Sequence, residues 1–243
     1  MTTEGYLFCS FGDINYAKLV NRLIKQVRIY DNVRPICVLT DDLSKEVYIE
    51  NKDVKYICIQ VENHIHESID MNIPWNKFGC IPKLYQYLYT PFDYTCFIDA
   101  DMIFHNDFTF VWEMFYEKNL PLLMPGLCDD QLKSPAEWHW GHIHDVIQHC
   151  GFNVPQVWST LFIYDTRFKN ILKEESQSLI DYCLNNIHNW NIRIQFRNGL
   201  ADEIIYAIIL AKINVRPSGT LHTWLRDEEN CTAFDKGEVS PPH

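Results

Sequence analysis

Residues Tyr94–Phe108 read YTCFIDADMIFHNDF, and the reading of this stretch decides the fold. Thr95–Ile98 is a short β-branched and aromatic run, the composition of a buried strand. It ends in Asp99-Ala100-Asp101, and a second apolar triplet, Met102-Ile103-Phe104, follows at once. Two carboxylates between apolar runs are costly to bury unless a cation neutralises them. In an extended chain residues i and i+2 project to one side, so Asp99 and Asp101 are predicted to converge on one ion. Hard oxygen ligands suit Mg²⁺ or Mn²⁺, which keep coordination positions for a substrate's phosphates. The stretch therefore predicts a metal–diphosphate site at the end of a central strand. The competing reading, a turn or helix-capping pair, leaves the apolar flanks unexplained.

Upstream, Tyr6–Ser10 is a first strand and Phe11-Gly12-Asp13 a turn. Asn15–Ile29 then carries Tyr16, Leu19, Val20, Leu23, Ile24 and Val27, the spacing of one helical face. Pro35–Thr40 and Lys55–Val61 read as two further strands. This alternation is a βαβ unit in a mostly parallel sheet. Such sheets bind ligands at the carboxyl ends of their strands, so Ser10–Asp13, Asp41-Asp42 and Asp99–Asp101 are expected around one crevice. Pro82–Tyr89 is a short helix with proline in its first turn.

Downstream, Phe108–Lys118 and Ala201–Ala211 read as helices and Asp165–Asn189 as two helical pieces. Leu120–Met124 and Val157–Tyr164 read as strands, and Asn214–Arg216 as a last edge strand. The whole predicts a single α/β domain over residues 1–225, a central mostly parallel sheet flanked by helices. Residues 226–243 hold five acids against two bases and read as a loose acidic tail.

With 243 residues and 47% hydrophobic content the chain can bury a large core. No 18-residue apolar run is present, so no membrane span is predicted. The start, MTTEGYLFCS, has none of the parts of a secretory signal. Nine cysteines, none spaced Cys-x-x-Cys, point to a reducing, cytoplasmic setting. Cys9, Cys37, Cys58 and Cys96 all fall inside apolar strand candidates, where a free thiol behaves as a small hydrophobe. There the sequon Asn230-Cys231-Thr232 would carry no glycan. A net charge of −11 argues against a polyanion held on a broad basic surface, but not against a nucleotide whose phosphates a metal neutralises.

Taken together, these residues resemble the nucleotide-sugar glycosyltransferases of the GT-A (Rossmann-like) fold, most closely the family-8 type that includes glycogenin. The likeness rests on FCSFGDINYAKLV at 8–20, VLTDD at 38–42, Lys83 ahead of FIDADM at 97–102, the strand at 158–164 and Ala201-Asp202-Glu203 opening a helix. It implies a hexosyltransferase with a UDP-sugar donor and Mn²⁺ or Mg²⁺. It would place base and ribose against Phe8, Ser10, Asp13, Tyr16 and Asp41, and Lys83 beside the phosphates or sugar. Asp99, Ala100 and Asp101 would meet the donor, Asp99 and Asp101 would hold the metal, and His222 would be a third ligand. Asp202 or Glu203 would be the catalytic carboxylates that reach the sugar or the acceptor hydroxyl, as a base if the reaction inverts the anomeric carbon and to hold and orient the sugar if it retains it. The family's His-x-x-Gly-x-x-Lys-Pro-Trp signature is absent, and its Asn-x-Gly turn reads Trp158-Ser159-Thr160 here.

Each residue also has a plainer reading. Asp13 and Asp41 suit strand-end turns, Phe8 and Tyr16 suit a core, Lys83 a solvated helix, and Asp202 and Glu203 a helix start. The run Glu137–Asp145, with His149, is histidine-rich, but no two of its histidines are four apart, so a wet aromatic loop outweighs a zinc site. An Asp-x-Asp phosphohydrolase is a second function class; there the pair opens the domain and is followed by Thr or Val, whereas Met102 follows here. A sugar nucleotidyltransferase needs a glycine-rich, basic loop that Ser10–Asp13 lacks. A non-catalytic nucleotide-sugar-binding module stays open. The acceptors open to such a site are a glycan, a protein side chain and a modified DNA base; nothing in the sequence sets an oligomeric state.

Overall fold

Strands that are apolar on both faces need helices on both sides of their sheet. A computed structural model, describing residues 3–12, 14–41, 53–60, 80–128, 143–173, 178 and 202–233, has that form. β1 (Glu4–Ser10) turns through Gly12, whose φ of 77° is left-handed and suits glycine, into α1 (Ile14–Tyr30). β2 (Ile36–Thr40) and β3 (Val54–Cys58) follow. α2 (Ile81–Tyr85), with a proline in its first turn, runs into a 3₁₀ turn over Gln86–Leu88 and then β4 (Tyr94–Ile98). Beyond β5 (Met102–Phe104) come α3 (Phe110–Lys118), β6 (Leu122–Leu123) and β7 (Gly126–Leu127). α4 (Ile143–Cys150), β8 (Gln156–Val157), β9 (Leu161–Tyr164) and a helical segment α5 over 166–173 complete the middle. α6 (Asp202–Lys212), α7 (Gly219–Arg226) and β10 (Cys231–Ala233) close the described chain.

The main sheet runs β3-β2-β1-β4-β9-β6; the first four strands are parallel, and β9 is antiparallel to both its neighbours. Strand alternation divides the core in two. Leu7, Cys37, Leu39, Phe97 and Phe162 face α2 and α6, while Tyr6, Phe8, Val38, Ile98 and Ile163 face α1 and α3. α6 is buried at every position from Asp202 to Leu210, which explains why its apolar residues show no stripe. The predicted α/β sandwich is thus the fold observed. Among the described residues no helix is long and apolar enough to cross a membrane.

Four local readings are corrected. Val157–Tyr164 is two strands, because β8 pairs with β7 in a separate ribbon before the chain enters β9. Leu120–Met124 shortens to β6, Leu122–Leu123, and the ribbon strand β7 begins only at Gly126. Asn214–Arg216 is not a strand: Asn214 has a φ of 53°, and Val215 N–H returns to Leu210 O at 3.0 Å to close α6. Within the stretch read as a tail, Cys231–Ala233 pairs antiparallel with β5. The sequon is engaged there, since Asn230 Oδ1 accepts from Asn106 Nδ2 at 3.0 Å and buried Cys231 packs in the core.

At the opposite end from the carboxyl edge, Asp31 organises the loop after α1. It accepts from Val33 N–H and Arg34 N–H at 3.0 Å, from Arg34 Nη1 at 2.7 Å and from Tyr6 Oη at 2.8 Å. Trp112 Nε1 donates to Tyr6 Oη at 3.0 Å, and the Arg34 guanidinium lies 4.6 Å from the Trp112 ring centre. Removing one partner of such a buried network strands the others. Asp31→Ala is therefore expected to cost about 3 kcal/mol, read as a loss of Tm in thermal unfolding. These bonds outweigh burial and hold the Asp31 carboxyl down to about 2. Its contribution is thus complete above the ordinary carboxylate range and is lost as pH falls toward 2.

Candidate active site: a carboxylate cleft at the strand ends

Parallel strands β1 and β4 end side by side, and the turn after each lines one cleft. Its walls are Cys9, Phe11, Tyr16, Cys80, Lys83, Phe97, Asp99, Ala100, Asp101 and Asp202. Asp99 N–H donates to Thr160 O at 2.8 Å, and Met102 N–H returns to Asp99 O at 3.3 Å. Asp99-Ala100-Asp101 is therefore a turn between β4 and β5. The two carboxylates share the cleft because of that turn, not because of strand alternation.

Lys83, on α2, is the electrostatic centre. Its Nζ is 2.8 Å from Asp99 Oδ2 and 3.1 Å from Asp202 Oδ2. The Lys83 side chain is 12% exposed, that of Asp99 25% and that of Asp202 4%. Burial disfavours the ammonium, but Asp202 and Asp99, with Glu203 behind them, outweigh it and hold its pKa well above the usual lysine value. Tyr206 Oη donates to Lys83 O at 3.0 Å, tying α2 to α6. Beneath, Tyr164 Oη donates to Gln86 Oε1, and Thr90 and Thr95 hydroxyls pair at 2.8 Å.

Asp202 opens α6, where the helix dipole favours a carboxylate. Ser159 Oγ donates to its Oδ2 at 2.7 Å, and Cys80 Sγ lies 3.9 Å from Oδ1. Glu203 is buried beside it but is not a wall of the cleft.

Burial first, and the Asp101 charge second, push the Asp99 carboxyl up to about 7 against the pull of Lys83. The sign follows directly. Between the ordinary carboxylate value and about 7 the folded chain keeps a proton that the unfolded chain has released, so this group's stabilising contribution is lost as pH rises through about 7. An ion taken up through Asp99 would have to displace that proton. Divalent-ion affinity, measured by calorimetry, is expected to rise roughly tenfold per pH unit below 7 and to level off above it.

Other predicted contacts fall as follows. Tyr16 is on the cleft wall. Phe8 and Ser10 are 0% and 1% exposed and do not line it; Phe8 packs under α1. Asp41 accepts from Gly12 N–H, joining the end of β2 to the turn after β1. Asp13 lies outside the described residues, as do 137–142 of the histidine-rich run. His222, on α7, is stacked on Trp158 with ring centres 3.9 Å apart. Burial and nearby Arg226 lower its pKa to about 4, leaving it neutral. Among the described residues no three His, Cys, Asp or Glu side chains converge on one ion position, so His222 is not assembled with the aspartates. Sequence reading missed Ser159, Cys9 and Cys80. It also missed Arg22 on α1, whose guanidinium feels the Asp101 charge.

No family profile matches the chain, and no curated protein sequence matches it. Solved structures do. The galactosyltransferase LgtC, in complex with donor and acceptor sugar analogues, superposes with a TM-score of 0.60 at 14% identity, over 89% of this chain and 73% of its own. Mouse xyloside xylosyltransferase 1 gives 0.55 at 10% identity over 89% and 84%. Core-mannan synthase A from Aspergillus fumigatus, in an Mn/GDP form, gives 0.54 at 13% over 88% and 72%. The strand order, the turn after β4 and these superpositions together establish that this chain has the GT-A fold.

Proposed function

We propose that the protein is a glycosyltransferase that moves a hexosyl group from a nucleotide-diphosphate sugar, a UDP-sugar, to an acceptor hydroxyl, with Mn²⁺ or Mg²⁺. The observation that carries this is the charge balance of the cleft. On the cleft wall one ammonium, Lys83, faces Asp99, Asp101 and Asp202. Three carboxylates facing one ammonium favour a further cation. The donor set is hard oxygen from two carboxylates, which suits an ion whose remaining positions go to diphosphate oxygens. The neighbours support the same reading: the Aspergillus enzyme is an Mn/GDP form, and LgtC holds donor and acceptor sugar analogues.

Asp99 and Asp101 would hold the ion, which when bound stabilises the charge that grows on the departing diphosphate. The remaining roles belong to the chain itself. Lys83 pairs with Asp99 and Asp202 and stands beside the phosphates. Asp202 orients a hydroxyl of the transferred sugar, and Glu203 adds negative potential behind it. Tyr16 and Phe11 wall the nucleotide side. Such positioning lowers the barrier by holding the reacting groups close to their reactive geometry.

The test is a panel of UDP-glucose, UDP-galactose, UDP-N-acetylglucosamine and GDP-mannose, each assayed for slow hydrolysis with and without Mn²⁺. Metal-dependent release of sugar from one UDP donor is expected. Absence of hydrolysis and of nucleotide binding across the panel would overturn the reading, and release of phosphate from simple esters would favour a phosphohydrolase.

A further inference from the structure

Ser159 has no role in the chemistry described so far, yet it is placed where that chemistry is controlled. It lies between the short ribbon strand β8 and the central strand β9, and it is 2% exposed. Its neighbour Thr160 accepts from Asp99 N–H at 2.8 Å, so the residues before β9 track the turn that carries Asp99 and Asp101. The hydroxyl of Ser159 donates to Asp202 Oδ2 at 2.7 Å, the same oxygen that Lys83 Nζ approaches at 3.1 Å. One oxygen of Asp202 is thus held from two directions, while among the described residues Oδ1 meets Cys80 Sγ at 3.9 Å. Asp202 is a cleft wall, so fixing Oδ2 determines where Oδ1 points.

An ion pair to Lys83 alone would not do this. An ammonium on a flexible stem is a point charge that binds either carboxylate oxygen over a wide range of angles. A serine hydroxyl on a backbone pinned to the sheet has a fixed origin and one proton to give. Together they define a plane for the carboxylate, which is what a group that orients a sugar hydroxyl needs.

We propose that Ser159 is a positioning residue that locks the Asp202 carboxylate so that Oδ1 is presented to a hydroxyl of the donor's sugar ring. This rests on the transferase reading and adds to it which residue sets the sugar-facing geometry. It makes a distinction a purely structural serine would not make. UDP lacks the transferred hexosyl ring and so gains nothing from Asp202, whereas the intact donor does.

The experiment compares wild type with Ser159→Ala, Ser159→Thr, Asp202→Asn and the Ser159→Ala/Asp202→Asn double variant. The readouts are Mn²⁺-dependent UDP affinity by calorimetry, hydrolysis of the UDP-sugar that wild type cleaves, and Tm. Ser159→Ala is expected to lower kcat/KM for the donor roughly tenfold while leaving UDP affinity within about twofold, with a fall in Tm of roughly 2–10 °C because a buried carboxylate loses a hydrogen bond. Ser159→Thr, which keeps the hydroxyl, should recover part of the loss. In the Asp202→Asn background, Ser159→Ala should cost no more than about twofold, because residues acting as a unit are not additive. Equal loss in both backgrounds, a parallel fall in UDP affinity, or full donor turnover by Ser159→Ala would each overturn the assignment. A wild type that cleaves no donor would instead refute the transferase reading itself, so the two failures are distinguishable.

Discussion

Asp101→Asn is expected to lower Mn²⁺-dependent donor turnover by roughly a thousandfold, the scale of several kcal/mol of charge stabilisation lost from a diphosphate leaving group. The fold should be untouched. Asp101 is exposed on the turn after β4, and unlike Asp99 it has no ion pair with Lys83. Exposed substitutions of this kind change stability by at most about 0.5 kcal/mol. The pair of readouts separates a lost ligand from a damaged fold: turnover and metal-dependent UDP affinity fall together while Tm stays put. A variant that keeps more than a tenth of wild-type turnover would remove Asp101 from the metal site.

The second large effect is on stability. Lys83→Met keeps the length and apolar stem of the side chain but deletes the ammonium. Asp99 and Asp202, the latter 4% exposed, then lose the ammonium that both of them contact. Breaking a buried pair from one side costs about 3–5 kcal/mol, because the surviving charge keeps its desolvation penalty. At about 2–4 °C per kcal/mol for a chain of this size, Tm should fall by roughly 6–20 °C. Two further results follow from the same electrostatics. Adding Asp202→Asn should restore part of the lost stability by removing a stranded charge. Lowering the pH from 8 to 6 should stabilise Lys83→Met relative to wild type, since protonating Asp99 removes another. A fall in Tm of less than about 2 °C, or no gain from Asp202→Asn, would show that Lys83 is an ordinary surface lysine whose ion pairs contribute little.

What could be read from the sequence, and what could not, divides on physical lines. The β1–α1–β2 unit is legible because its strands are short apolar runs and its helix has one clear stripe, from Tyr16 to Val27. The turn after β4 is legible because aspartates between apolar runs are costly without a reason. Strand direction leaves no trace in composition, so nothing in Leu161–Tyr164 announces that it runs against β4. The pairing of β10 with β5 joins residues more than a hundred positions apart, and the acids before it look like any solvated tail. Phe8 shows the limit of resemblance. Alternation alone places it on the Tyr6 face, under α1, and that face is core. Ser159 was hidden for the opposite reason. Its only signal was a departure from an expected turn, and a departure says that something differs without saying what replaces it. The contact with Asp202 spans 43 positions and appears only once β9 and α6 are packed together.

The whole account depends on a dication joining the carboxylates of the β4 turn to a nucleotide's diphosphate. The most direct measurement is a calorimetric titration of UDP into the protein, with Mn²⁺ and with chelator. The account predicts binding that requires Mn²⁺, is at least tenfold weaker in chelator, and is lost in Asp101→Asn. UDP binding of equal strength with and without the metal, or no binding under either condition, would contradict it.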